Sequence, residues 1–360
     1  MSKRGQTVTR RADQILAGFA EDDAISQDAL LLQGIFRGLG WDSDLFVPRA
    51  HTDPAAAARV RPLEAYAGAP GDVAVLHDVL DPAAAAAFRA TPARRVLRYH
   101  NITPGACFAP FDGALAERLD RARAELGGIA ALAESVWPVS AFNAAELPAG
   151  VAARCRVLPL LFEEARFRLA PDPAVAARYA GPLANILFVG RLVPNKCVEE
   201  LIFAFHRYHR AINPASRLII AGSERSCPRY AALLRLLAKA LDLPNVCFEG
   251  FVSPAGLAAL YGKASLFATL SRHEGYCLPL VEAMANGVPV LARRAGGMPE
   301  ALGEAGLQVE ELPPAVVAEL FADVLHRPAV RREILDSQAR RMEAVRARRP
   351  ADEVAALLAE

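Results

Sequence analysis

The sequence predicts an α/β protein built from two successive doubly wound parallel sheets. Three observations lead there. Short apolar runs alternate with amphipathic helical patterns along nearly the whole chain. The alternation pauses once, in a proline-bearing stretch from Glu163 to Pro182, and then restarts. The chain is 360 residues long, which exceeds one ordinary domain and suits two. With 53% hydrophobic and 22% charged residues, each half has enough apolar material to fill its own core.

In the first half, Gln14–Phe19 reads as a buried strand, and Leu30, Leu31, Ile35 and Leu39 predict a helix over Asp23–Gly40. Strands follow at Leu45–Val47, Val73–His77, Val96–Tyr99 and Val136–Val139, with Arg156–Leu160 closing the sheet. In the second half the strands are Ile186–Val189, Leu218–Ala221, Val246–Phe248, Leu266–Thr269 and Val288–Leu291. Helices start near Lys196, Pro228, Pro254, Cys277 and Pro313, and two more run over Ala329–Arg348 and Ala351–Leu358. The alanine tracts Ala55–Ala58 and Ala83–Ala87 favour helix and carry no chemical message. The resulting domains are 1–165, 166–335 and a helical tail over 336–360.

The formal charge of +1 excludes a chain-wide attraction to nucleic acid or anionic lipid. Arg118, Arg121 and Arg123 read as a solvated helix face. Cys107, Cys155, Cys197, Cys227, Cys247 and Cys277 are scattered, without metal-ligand spacing, which predicts reduced thiols. The start, Met1 to Thr7, lacks the apolar stretch of a signal peptide, and no apolar run is long enough to span a membrane. The expectation is a cytoplasmic protein.

Two clusters carry chemistry. In the first, Ile186-Leu-Phe-Val-Gly-Arg-Leu-Val-Pro-Asn-Lys196, a buried strand ends at Gly190 and two cations follow as the chain enters a helix. Fixed positive charge, free N–H groups and a helix N-terminus together suit a diphosphate. The second runs from Ser271 to Met284, with Glu274 in a loop and Glu282 a turn into the next helix. A carboxylate accepts hydrogen bonds from two neighbouring sugar hydroxyls, and the N–H groups of Gly275–Leu278 can meet hydroxyls or a phosphate.

These strings, with Arg-Leu-Ile-Ile-Ala-Gly222 and Phe-Glu-Gly-Phe-Val-Ser253 between them, resemble glycosyltransferase family 4 (group 1) without a break from about Asn185 to Val309. The family's enzymes are retaining and have the GT-B fold: two Rossmann-like domains facing each other across a cleft, with a C-terminal helix that can return to the N-terminal domain. The resemblance implies an N-terminal acceptor domain and a C-terminal nucleotide-sugar domain. It implies that Arg191 and Lys196 grip the donor diphosphate, that Glu282 binds its ribose and that Glu274 contacts the transferred sugar. Gly190 and the loop Gly275, Tyr276, Cys277 and Leu278 would line the donor, with Gly222, Ser223, Val252 and Ser253 near the base. Cys197 stands where the family usually has glycine, and Arg293 and Arg294 replace its more usual acidic or small residues.

In the first half, Arg98-Tyr-His-Asn-Ile-Thr-Pro104 ends a strand and is similar to a segment of the family that brings a histidine near donor sugar and acceptor, which points to His100 as catalytic. His77, Asp78, Asn101, Asp23 and Ser26 are weaker candidates for the acceptor pocket. Glu21 to Asp28 resembles a loop in which the family carries glycine close to phosphate; Asp22 and Asp23 would repel a phosphate there. Asp42-Ser-Asp44 has the form of a metal-holding DxD but reads better as a turn. With two cations for the diphosphate, neither metal nor other cofactor is expected.

The function expected from the resemblance is transfer of a hexose from a UDP-, GDP- or other nucleotide-sugar to a hydroxyl of a glycan or lipid-linked acceptor. That would place the protein in cell-surface polysaccharide synthesis, with peripheral membrane contact and no nucleic acid. The alternatives are a nucleotide-sugar epimerase or hydrolase on the same fold, and a silent nucleotide- or glycan-binding protein.

Overall fold

The computed structural model describes residues 10–20, 23–51, 54–77, 80–167 and 169–360. Two compact units emerge. The first comprises Met1–Ile102, Arg118–Phe162 and Arg349–Glu360, and the second Thr103–Glu117 and Glu163–Arg348.

The first unit carries β1 (Ala12–Ile15), α1 (Ala24–Gly38), β2 (Leu45–Val47), β3 (Arg61–Pro62), β4 (Val73–Leu76), α2 (Pro82–Ala90) and β5 (Arg94–Tyr99). Helix α3 (Gly113–Leu132), which belongs to this unit from Arg118 onward, β6 (Ser135–Pro138) and α4 (Ala141–Ala145) follow. Its six strands are parallel, in the order β3-β2-β1-β4-β5-β6. The second unit holds α5 (Pro173–Arg178), β7 (Ala184–Val189), α6 (Val198–Ala211), β8 (Ser216–Ala221), α7 (Pro228–Ala240), β9 (Val246–Gly250) and α8 (Pro254–Lys263). It continues with β10 (Leu266–Thr269), α9 (Leu278–Ala285), β11 (Val290–Arg293), α10 (Met298–Leu302), β12 (Leu307–Val309), α11 (Pro314–His326) and α12 (Pro328–Ala347). Its strand order is β12-β11-β10-β7-β8-β9, again all parallel. Counted from the first strand of each unit, the two orders are the same. Chain direction therefore reverses beside β1 in one sheet and beside β7 in the other, and such a switch point is where a doubly wound sheet opens a crevice at its strand carboxyl ends.

The central strands read as apolar runs because both faces are covered: every residue of β4 and β10 is buried. Helix α6 buries Val198, Leu201, Ile202, Phe205 and Tyr208, the spacing of a single helical face. It places Glu199 and Glu200 at the positive end of its dipole. Helix α12 is charged on most of its surface and anchors through Ile334, Gln338 and Met342. The Gln338 amide donates to the Val288 carbonyl at 2.8 Å and accepts from the Val290 N–H at 2.9 Å, pinning the entry to β11. The last helix, α13 (Pro350–Ala359), belongs to the first unit. There Val354 and Leu357 join the core of Leu32, Phe36, Val75 and Trp137. Arg94 donates to the Leu358 carbonyl at 2.7 Å, satisfying a helix end that has no partner of its own.

Several expectations need correction. The first strand runs Ala12–Ile15 rather than Gln14–Phe19, because Asp13 and Gln14, polar residues that read as its edge, are buried within it by paired partners. In α1 the buried stripe is Ala29, Leu32 and Phe36, while Leu31, Ile35 and Leu39 pack half-buried beside it. Arg156–Leu160 is not a ladder strand: it runs beside β6 with Arg156 and Leu158 donating to the carbonyls of Val136 and Pro138. The strand expected at Val288–Leu291 starts at Val290, since Val288 still donates to the Ala283 carbonyl and finishes the turn after α9. The short edge strands β3 and β12 carry too few residues for a periodic signal.

Candidate active site

In the second unit, the loops after β7 and β10 flank the switch point of the sheet and are stitched to each other. The Asn195 amide donates to the His273 carbonyl at 2.8 Å, and the Arg272 N–H donates to the Asn195 carbonyl at 2.9 Å. Between them Lys196 Nζ meets Glu274 Oε1 at 2.5 Å. The carboxylate is buried and the ammonium partly so. The Glu274 backbone is held as firmly: its carbonyl accepts from the Gly297 N–H at 2.8 Å, and a Cβ on Gly296 (φ +57°) would fall 2.3 Å from that carbonyl oxygen. Arg191 is exposed, and its side chain makes no hydrogen bond or ion pair among the described residues.

Gly190 and Gly222 lie at adjacent strand ends, where a Cβ on Gly222 would sit 1.8 Å from the Gly190 carbonyl oxygen. Only glycine lets the two chains pass there. The Leu192 N–H donates to the Ser223 carbonyl at 2.9 Å, and the Ser223 hydroxyl accepts from the Arg225 N–H at 3.3 Å. Ser253 caps α8 by accepting from the Gly256 N–H, and Val252 packs against that glycine. Glu282 projects from the second turn of α9 and accepts from the Tyr261 hydroxyl at 2.8 Å. Burial, with Glu282 adding to it, raises the Tyr261 phenol well above its ordinary value, so it stays a donor.

The entrance to α9 is polarised. Cys277 precedes it with φ +70° and ψ +70° and gives no side-chain cap. The N–H groups of Gly275, Tyr276, Cys277 and Leu278 have no partner among the described residues. Burial, then Glu274, raises the Cys277 thiol well above its usual value, so it is a packing group here and not a nucleophile. The Tyr276 ring is buried, with Arg341 beside its hydroxyl.

In the first unit, His77 follows β4 and His100 follows β5, and the two rings stack with centroids 5.2 Å apart. His77 Nδ1 lies 3.0 Å from His100 Nε2, and His77 Nε2 lies 2.7 Å from Gln14 Oε1. Beneath them Arg98 and Asp28 form a buried two-pronged ion pair at 2.9 and 3.0 Å. Burial would raise the Asp28 carboxyl, but Arg98, with His100 and His77, outweighs it and lowers it to about 2. Burial lowers His77 to about 3, against the pull of Asp28, and holds His100 well below its ordinary value for the same reason.

Other expected site residues have structural occupations. Asp23 caps α1, accepting from the Ser26 N–H at 3.0 Å, and the buried Ser26 hydroxyl accepts from the Ala20 N–H. Asn101, at φ +94°, donates to Asn143 and Glu146. Asp78, Glu21 and Asp22 lie outside the described residues. Asp44 faces Arg11 at 2.8 Å and Arg61 at 3.0 Å, while Asp42 is exposed and lies 3.9 Å from Arg11. Arg123 is tied to Glu146 at 3.0 Å instead of extending the face of Arg118 and Arg121.

Gln14, Glu146, Tyr261 and Glu200 have no motif around them, and Asp28 and Arg98, though inside quoted segments, were not singled out as site residues. Glu200 takes Arg293 on one oxygen and Arg272 on the other, which accounts for the unusual Arg293: it is a buried clamp linking α6 and β11. Two groups, Asp28-His77-His100 and Cys197-Glu199-Glu200, are close enough to share an ion. Neither fits one. Arg98 occupies Asp28 and both His77 nitrogens are engaged; Arg272 and Arg293 occupy Glu200, while Tyr230 donates to Glu199.

Residues 181–342 match the sequence profile of the family described as glycosyl transferases group 1. The matched segment takes in every strand of the second unit, β7 to β12. Curated relatives align over about half of the chain. One is the GDP-mannose-dependent alpha-(1-6)-phosphatidylinositol monomannoside mannosyltransferase of Mycobacterium tuberculosis, 33% identical over 49% of this chain and 48% of that protein. Another is the D-inositol 3-phosphate glycosyltransferase of Acidothermus cellulolyticus, 33% identical over 51% of this chain and 42% of that protein. The chain thus spans about half the length of the curated relatives it matches. Solved structures extend the likeness in fold to the whole chain. Sucrose-phosphate synthase from Thermosynechococcus elongatus superposes with a TM-score of 0.73 at 20% identity, over 97% of this chain and 98% of that one. The Anabaena HepE protein in complex with UDP and glucose also gives 0.73, at 18% identity, over 98% and 100%. The chain has the two-domain GT-B fold. No helix among the described residues is long and apolar enough to cross a membrane.

Proposed function

We propose that the chain is a retaining glycosyltransferase of family 4 that moves a hexose from a nucleotide-diphosphate sugar to an acceptor hydroxyl. The observation that carries this reading is the placement of Arg191, Lys196, Glu274 and Glu282 around the carboxyl ends of β7 and β10, beside unpartnered N–H groups. Arg191 and Lys196 against Glu274 leave one net positive charge beside the donor's leaving diphosphate. As the bond from the anomeric carbon to the diphosphate breaks, the two cations stabilise the charge that develops on phosphate without having to reorganise. Glu282, steadied by Tyr261, accepts from the ribose hydroxyls. Glu274 and the N–H groups of Gly275–Leu278 hold the sugar. An acceptor hydroxyl attacks the same face, and its proton passes to the departing phosphate oxygen. Cationic side chains fill the place a metal would take, so no metal enters the reaction.

The first unit takes the acceptor in this reading, with His100 at its strand ends. The names of the relatives, GDP-mannose-dependent phosphatidylinositol monomannoside mannosyltransferase for one and D-inositol 3-phosphate glycosyltransferase for another, favour a GDP-sugar donor and an acceptor bearing a polyol or a lipid-linked glycan. Thermal unfolding with GDP, UDP, ADP and dTDP and their sugar conjugates tests the donor site. Ligand at about 100 times its dissociation constant stabilises by about 2.7 kcal/mol. The expected result is a shift with one base family that Glu282→Ala abolishes; no shift with any nucleotide overturns the reading.

A further inference from the structure

A row of hydrogen bonds crosses the first unit beside its switch point, and its direction can be read from one end. The Gln14 Nε2 group lies 3.0 Å from the Ala29 carbonyl, which can only accept, so Gln14 donates there. The other orientation would set two acceptor oxygens against each other in a buried place. Gln14 therefore turns Oε1 to His77, and at 2.7 Å His77 must donate from Nε2. A neutral imidazole protonated on Nε2 has its lone pair on Nδ1. That lone pair faces His100 Nε2 at 3.0 Å, so the His100 proton is on Nε2.

The Asp28 carboxylate is a second acceptor on the same side, 3.7 Å from His100 Nε2. Asp28 is itself fixed by Arg98 and by the Leu161 N–H at 2.9 Å. What remains is the lone pair on His100 Nδ1, which has no partner among the described residues. The backbone after His100 is held against drift: Glu146 accepts from Tyr99, Asn101 and Arg123, and Asn143 donates to the Tyr99 carbonyl. The left-handed φ of +94° at Asn101 is held in place by these bonds.

We infer that Gln14 and His77 are positioning residues that set His100 as a neutral hydrogen-bond acceptor, Nδ1 lone pair free, for a substrate hydroxyl. The step this supports is holding the hydroxyl of a bound sugar or of the incoming acceptor; the imidazole gains no net proton. The inference rests on the glycosyl-transfer reading for its substrate, and on the hydrogen-bond row alone for its tautomer.

The test uses the full chain with 15N-labelled histidine. Long-range 15N–1H spectra of the wild type should show His100 and His77 both protonated on Nε2. Gln14→Leu removes the acceptor that orients His77, so the row can reverse and His100 should gain protonation on Nδ1. Turnover should then fall about tenfold or more, with the KM for the nucleotide-sugar little changed. Gln14→Glu in its neutral acid form donates its O–H to the Ala29 carbonyl and still offers His77 an acceptor, and it should restore both the Nε2 tautomer of His100 and most of the rate. Loss of acceptor transfer with unchanged slow hydrolysis of the donor would place the hydroxyl on the acceptor; equal loss of both would place it on the donor sugar. The inference is overturned by Nδ1 protonation of His100 in the wild type, by an unchanged His100 tautomer in Gln14→Leu, or by a changed tautomer with unchanged turnover. Failure of the transfer reading is seen separately, as no turnover of any nucleotide-sugar by the wild type, while the spectra still decide the tautomer.

Discussion

Lys196 and Glu274, 78 residues apart in sequence, meet at 2.5 Å, so a cation delivered after β7 and a carboxylate delivered after β10 form one unit. Arg191, next to the same strand end, has no such counter-charge among the described residues. The two cations should respond differently to removal.

Arg191→Ala removes an exposed, unpaired side chain, so stability should change by no more than about 0.5 kcal/mol. Turnover should fall about 100-fold or more, because the lost charge acts on the leaving group. Lys196→Ala should cost comparable activity and also about 1–3 kcal/mol of stability, since Glu274 is left buried without its partner. Urea unfolding and steady-state kinetics on both variants check this pair. Full activity in both would remove the cations from the reaction.

Tyr261 donates to Glu282 at 2.8 Å from a neighbouring helix. Tyr261→Phe keeps the ring and should cost about 1 kcal/mol of stability. Released from that bond, Glu282 should hold nucleotide about 5- to 10-fold more weakly, a change read by calorimetric titration with the nucleotide identified in the thermal screen.

Arg98→Met should be severe, at about 3–5 kcal/mol, because it leaves the Asp28 carboxylate buried without its counter-charge. Pairing it with Asp28→Asn should recover much of that loss, since a neutral amide has less solvation to lose. Equilibrium unfolding of the two single variants and the double variant measures the coupling.

The buried histidines tie stability to pH. His77, lowered to about 3, and His100, held well below its usual value, stay neutral in the folded chain while their unfolded counterparts protonate near 6.5. The unfolded state then binds more protons as pH falls below about 6.5, so stability is flat above that value and declines below it. Each histidine contributes up to about 1.4 kcal/mol per pH unit across its window. Asp28 acts lower: its stabilisation is complete above about pH 4 and is lost towards pH 2. Urea unfolding from pH 7 to pH 5 should show a smaller slope in His77→Gln than in the wild type.

The sequence by itself determined the alternation of strands and helices, the restart after Glu163–Pro182 and the two ordered strings around Lys196 and Glu274. These features are local: a buried parallel strand needs an apolar run, and a turn after its end needs glycine beside the groups that face a ligand. Tertiary structure alone decided what Arg293, Glu200, Tyr261, Gln14 and Asp28 do, because each acts through a partner distant in the chain and none carries a pattern of its own. It also gave Asp23 and Ser26 their partners at the start of α1, and it turned two isolated histidines into a directed row. The direction of that row comes from the Ala29 carbonyl, a backbone group whose place no reading of side-chain types could have supplied.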